Sequence, residues 1–170
     1  RNLRKLNAVA LTLGSDVPFF LTGGAFSVGT GRGEILEPVK AKGRLPFIVL
    51  VYPGEPVYTG PVYGALKPVM RGETSCNLSK LKELIKALEA GKPLRDWRAW
   101  LFNRLEEPVL PAHAAVRRAR ALLAGAGATA VLMSGSGASV FALVENRSNA
   151  VKISKILAQP GYTFFLTNFC

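Results

Sequence analysis

The sequence predicts an α+β fold built on a split βαβ antiparallel sheet with helices on one face. Three observations carry this reading. Phe47–Tyr52 is a continuous apolar run, the pattern of a buried strand. "ATAVLMSGSGASVFALVE" places two apolar segments around a Gly-Ser-Gly turn. A helical stretch at 147–158 then leads into "GYTFFLTNF", a last strand. From residue 47 onward the order is strand, several helices, strand, strand, helix, strand. That is a split βαβ unit with extra helices in its first crossover.

The elements follow in chain order. Leu3, Leu6, Val9, Ala10 and Leu13 recur at helical spacing, so 2–13 reads as a helix or the end of one. The short apolar segments 18–22 and 24–29, with glycines between and after them, read as strands. "GTGRGE" (Gly29–Glu34) is a turn-rich loop. After Tyr52, Thr59 offers a helix cap, Pro61 sits in the first turn and Pro68 is a stop. Leu78, Leu81, Leu84, Ile85 and Leu88 form the stripe of a helix over 78–90, ended by Gly91 and Pro93. "DWRAWLFNRL" is a short helix. Residues 111–124 form an Ala/Arg-rich helix stopped by Gly125 and Gly127. There is no internal repeat, low-complexity tract or long linker.

Composition bounds the function. The 170 residues suffice for one domain or two small lobes, and 49% hydrophobic with 19% charged is a globular balance. No apolar run approaches the ~18–20 residues of a membrane span. The basic start leads into an amphipathic stretch, which is not a signal-peptide pattern. The first residue is Arg1 rather than Met, so the chain is expected to be processed, trimmed or a piece of something longer. Two cysteines, Cys76 and Cys170, and one histidine, His113, lack the spacing of a zinc site. Free thiols fit a reducing, cytoplasmic setting. The net charge of +11 favours anionic partners: nucleic acid, acidic membrane or phosphorylated small molecules. The charges are scattered, as on a solvated basic surface. No RNA-recognition signature or Cys/His finger is present.

Three stretches can carry chemistry. In "SGSGAS" (Ser134–Ser139), glycines between two strands permit a tight turn and leave N–H groups open to an anion. The same residues also suit a plain hairpin, and no Walker-type lysine follows. "GTGRGE" sets glycines beside Arg32, either as a phosphate- or base-holding loop or as a simple bend. Asp16, in "GSDVP", is a lone acid at an element boundary. It is either a turn-capping aspartate or a cleft carboxylate able to take a proton or orient a hydroxyl. Tyr63 is core or a stacking platform, His113 a surface residue, and Trp97 and Trp100 core or lobe-interface residues.

Three longer stretches resemble one family. "LGSDVPFFLTGGAFSVGTGRGEILEPV", "VLVYPGEPVYTGPVYGAL" and "LMSGSGASVFAL" occur in this order in 4-diphosphocytidyl-2-C-methyl-D-erythritol kinases of the GHMP kinase superfamily. The resemblance runs from about Val9 to Val144. It implies a GHMP-kinase C-terminal lobe over 45–170, with 1–44 as a remnant of the N-terminal lobe. It implies an ATP-dependent kinase of non-mevalonate isoprenoid synthesis. The substrate would be a cytidine diphosphate-linked methylerythritol, and the cofactors ATP and Mg²⁺, with Mg²⁺ mainly on ATP. Asp16 matches the catalytic aspartate beside the acceptor hydroxyl. Arg32 falls in the loop that approaches the cytidine, and Tyr63 where an aromatic stacks on the cytosine. Gly135, Ser136 and Gly137 fall in the loop that lines the substrate phosphates. No dedicated metal ligand is implied.

Two positions depart from the family pattern. Gly64 stands where a basic residue is frequent, which weakens one expected contact. Arg104, in "NRLE", replaces the acid of an N-D-[FL]-E segment. The family's lysine, Tyr-His pair and "GLGGGSS" phosphate loop have no counterpart in these residues. The expectation is therefore a C-terminal part that is inactive alone. The alternatives are a GHMP kinase for another small alcohol (homoserine or mevalonate), a basic split-βαβ RNA-binding module, and a non-catalytic remnant. The long match through "LGSDVPFF" and "GTGRGE" argues against the first.

Overall fold

A computed structural model describes residues 3–158 and 160–169. Cys170 therefore lies outside the described residues. The chain opens with helix α1 (Leu3–Leu13), whose apolar positions match the expected helix. A 3₁₀ helix follows at Val17–Leu21, where a strand was expected. Pro18 near its start presets φ for a turn. The Thr22 hydroxyl and N–H both donate to the Phe19 carbonyl and close the helix.

Next comes a two-stranded antiparallel hairpin of β1 (Ser27–Thr30) and β2 (Ile35–Pro38). Its register runs from Ser27↔Pro38 to Thr30↔Ile35. β1 is the shortened form of the strand expected at 24–29. β2 was not anticipated, because four residues ending in proline carry no periodic signal.

The main sheet contains β3 (Phe47–Tyr52), β4 (Ala130–Met133), β5 (Val140–Val144) and β6 (Thr163–Asn168) in the order β4-β5-β3-β6. Every neighbouring pair is antiparallel. β5 and β6 flank β3 and are joined through α7 (Arg147–Leu157), so the split βαβ unit is realised. Asn146 caps α7 by accepting the Asn149 N–H at 2.9 Å.

The long crossover from β3 to β4 holds α2 (Thr59–Gly64), α3 (Arg71–Glu89), α4 (Leu94–Trp97), a 3₁₀ turn, α5 (Glu106–Ala112) and α6 (Ala114–Gly125). α3 begins seven residues before the apolar stripe does. The Met70 N–H donates to the Glu73 carboxylate at 3.1 Å and satisfies one of the first-turn donors. The helix expected over 111–124 is α6, which starts at Ala114 because His113 is extended; residues 111 and 112 instead end α5, which was not anticipated. Arg117 donates to the Leu110 and Pro111 carbonyls at 2.6 and 3.3 Å, which covers the end of α5.

Strand alternation divides the core. Val49, Val51, Val140, Ala142 and Val144 face Val109 of α5, Val116, Ala119 and Leu123 of α6, and Ala150, Ile153 and Leu157 of α7. Helices were expected on one face only, but α3 and α4 cover the other face as well. Ile48, Phe141 and Leu143 point the other way. They pack in a second cluster with Ala87 and Leu88 of α3, Leu94 and Trp97 of α4, and Phe26, Val39 and Ala41. Among the described residues no helix is long and apolar enough to cross a membrane.

Trp97 holds the second cluster together. It is only 2% exposed, and its indole N–H donates to the Lys92 carbonyl at 3.0 Å. Trp97→Ala removes a large buried ring and leaves that carbonyl unpaired. It should lower stability by about 3–5 kcal/mol, read as a shifted midpoint in urea. A loss below about 1 kcal/mol contradicts this packing.

Candidate functional site

Asp16 stands between α1 and the 3₁₀ helix, with φ −87° and ψ −16°. Its carbonyl accepts the Phe19 N–H at 3.2 Å, but its side chain makes no capping bond. Among the described residues the carboxylate has no hydrogen bond or ion pair. The turn-capping alternative therefore lacks its defining contact, and the charge stands exposed.

The β1–β2 turn lies beside it. Gly33 has φ +101°, and a Cβ there would stand 4.0 Å from Asp16 Oδ1. Glycine suits both the left-handed backbone and the open space beside the carboxylate. Arg32 is in the same turn with its side chain 86% exposed. Its N–H donates to Glu34 Oε2 at 2.6 Å, and its guanidinium Nε is 4.0 Å from Oε1. The N–H groups of Glu34 and Arg32, then the Arg32 charge, hold the Glu34 carboxyl below its ordinary range.

The glycine loop joins β4 to β5. Ser134 N–H donates to the Ser139 carbonyl at 2.8 Å, and Gly137 N–H to the Ser134 carbonyl at 2.9 Å. It is a closed hairpin loop. The N–H groups of Gly135 and Ser136 find no partner among the described residues, as an anion-holding loop requires. Gly137 has φ +88°, and a Cβ there would meet Met133 Sδ at 2.9 Å.

The loop meets α2. Ser136 Oγ and Thr59 Oγ1 lie 2.9 Å apart across 77 positions of sequence. Thr59 was expected to cap α2. The N-cap is Tyr58 instead, without a side-chain cap, and the Thr59 hydroxyl goes to the loop. Buried Val62 anchors α2 in the core, while Tyr63 is 59% exposed. Tyr63 is therefore not a core residue, and its ring is open to a ligand.

The sequence-derived residues thus fall into two groups: Asp16 with the β1–β2 turn, and the glycine loop with α2. No hydrogen bond or ion pair among the described residues links the two groups directly.

Sequence reasoning missed Asn103 and Glu106. The Asn103 amide N–H₂ donates to the Met133 and Gly135 carbonyls at 2.9 and 2.7 Å, and Asn103 Oδ1 accepts the Leu105 N–H at 2.9 Å. Glu106 Oε1 accepts the Met133 N–H at 2.7 Å. The only sequence signal for them was the "NRLE" segment. Arg104 donates to the Lys67 carbonyl at 2.7 Å and sits 3.8 Å from Glu107, which gives this departure a packing role. Among the described residues no group of three or more His, Cys, Asp or Glu gathers to hold a metal ion.

The family described as "GHMP kinases C terminal" matches residues 76–163, more than half of the chain. The chain belongs to the GHMP kinases. A 4-diphosphocytidyl-2-C-methyl-D-erythritol kinase from Gloeobacter violaceus is 32% identical over 164 residues, covering 96% of this chain and 54% of that protein. A crystal structure of 4-(cytidine 5'-diphospho)-2C-methyl-D-erythritol kinase matches with a TM-score of 0.70 and 28% identity, covering 96% of this chain and 57% of that one. A homoserine kinase from Cytophaga hutchinsonii has a TM-score of 0.73 at 17% identity, covering 91% and 52%, and shares the fold. The chain spans about half the length of the curated relatives it matches.

Gly137→Ala tests the loop. The substitution strains a left-handed backbone and forces Met133 aside. It should cost about 1–3 kcal/mol, measured by thermal or urea denaturation. A change within 0.5 kcal/mol of zero argues against this loop geometry.

Proposed function

We propose that the protein carrying this chain transfers the γ-phosphoryl group of ATP to the 2-hydroxyl of 4-diphosphocytidyl-2-C-methyl-D-erythritol, a step of non-mevalonate isoprenoid synthesis. The observation that carries this reading is the unpartnered Asp16 carboxylate at the mouth of the β1–β2 turn. The names of the relatives supply the substrate class.

In this reading Asp16 takes a proton from the acceptor hydroxyl or orients it for attack. Arg32 lies on the cytidine side, and Tyr63 stacks on the cytosine. The open N–H groups of Gly135 and Ser136 face the substrate phosphates, with Gly137 shaping the turn. Phosphoryl transfer rests on positioning and charge stabilisation, with Mg²⁺ supplied on the nucleotide phosphates. The described residues gather no ligand set for a separate ion. The basic surface favours polyanionic small molecules over nucleic acid or membrane, in a cytoplasmic setting.

The remainder of the protein supplies the ATP cradle. It also covers α1, whose Leu6, Val9 and Leu13 are 45%, 56% and 74% exposed. Residues 1–44 then close that lobe, and 45–170 form the C-terminal domain.

Two substitutions in the full-length protein test the roles. Tyr63→Ala should weaken binding of the cytidyl substrate by about 1–3 kcal/mol, measured by calorimetry. An unchanged affinity sinks the stacking role. Asp16→Asn keeps the shape and removes the charge and the proton-accepting ability. It should lower kcat by ~10²–10⁴-fold with a much smaller effect on substrate affinity, and leave the melting temperature unchanged or slightly raised. A near-wild-type kcat returns Asp16 to a structural role.

A further inference from the structure

The outer edge of β4 is where the glycine loop is held from outside. β4 pairs with β5 on one side only, so among the described residues its other side has no neighbouring strand. At Met133, the last residue before the loop, side chains replace that strand. Glu106 accepts the Met133 N–H at 2.7 Å, and Asn103 donates to the Met133 carbonyl at 2.9 Å. Asn103 also reaches past Ser134 to the Gly135 carbonyl at 2.7 Å.

The loop needs such a hold. Gly135 and Gly137 supply no side chain to pack and lose more backbone freedom on ordering than other residues. Asn103 has its own orientation set, because Oδ1 accepts the Leu105 N–H at 2.9 Å and so turns the amide donors toward the loop. Glu106 is itself held from the other side, with Oε2 lying 3.4 Å from Arg120 Nε.

We propose that Asn103 is a positioning residue for the phosphoryl-transfer reaction, holding the Gly135–Gly137 loop with its free N–H groups toward the substrate phosphates. This rests on the kinase reading above and adds a residue to it. Asn103 touches neither substrate nor nucleotide; it acts through the backbone of the loop.

Asn103→Asp is the discriminating change. It keeps the shape and the acceptor for Leu105, but removes both donors. A carboxylate oxygen is then set at hydrogen-bond distance from two carbonyl oxygens, and the loop must move away. In the full-length protein we expect KM for the cytidyl substrate to rise about 10-fold or more, with KM for ATP unchanged. A general loss of structure does not produce that split between two substrates. Equal KM values in variant and wild type overturn the proposal.

Binding of cytidine 5'-diphosphate, followed by calorimetry on both proteins, reads the loop without catalysis. Affinity about 10-fold weaker in the variant supports the proposal, and equal affinity overturns it. A wild type without kinase activity defeats the functional reading, while the binding measurement still decides the role of Asn103. If Asn103→Asp does not fold, Asn103→Ser takes its place. It is uncharged and retains a hydroxyl donor. A selective rise of the cytidyl KM of about 3-fold or more supports the proposal, and no rise overturns it.

Discussion

The register between β3 and β5 is the constraint on which the rest of the structure depends. Val51 pairs with Val140, which sets the end of β3 beside the start of β5. The chain leaving β3 toward α2 and the loop entering β5 therefore share one end of the sheet. That is why Thr59 meets Ser136 across 77 positions of sequence. A slip of one residue would turn Val49 and Val51 out of the core under α5, α6 and α7 and send Ile48 into it. Hydrophobic burial thus enforces the alignment that brings the glycine loop to α2.

The candidate site residues sit where this scaffold is least self-sufficient. A glycine loop, a short helix with one buried anchor and an exposed turn acid all depend on rigid neighbours for their geometry. The Asp16 carboxylate has no hydrogen-bond or ion-pair partner among the described residues. Arg32, by contrast, already shares its turn with Glu34. A net charge of +11 favours polyanions near the surface, and the N–H groups of Gly135 and Ser136 have no partner among the described residues.

The edge of β4 shows a second economy. An unpaired edge strand invites pairing with another chain. Here Asn103 and Glu106 occupy Met133, and Arg98 reaches the Thr129 carbonyl at 3.4 Å. The Asn103 and Glu106 contacts at Met133 lie next to the loop, and Asn103 reaches Gly135 as well. The stretch from the 3₁₀ turn to the start of α5 therefore covers this edge with side chains at both of its ends.

The sequence by itself determined what local pattern can encode. The apolar runs of β3, β4 and β5, and α7 with β6, were legible because burial imposes a period on each element. Asp16 and the glycine loop were legible because their motifs are contiguous. Local turn chemistry and tertiary structure decided the rest. Val17–Leu21 is apolar enough for a strand, yet Pro18 and the Thr22 closure made it a 3₁₀ helix. The first turns of α3 are polar and left no stripe. Whether Thr59 would cap its helix or meet Ser136, and whether Asn103 would hold the loop, depended on residues 77 and 32 positions away. A hydrogen bond of that span has no period and no local composition, so it exists only once the sheet has brought its two ends together.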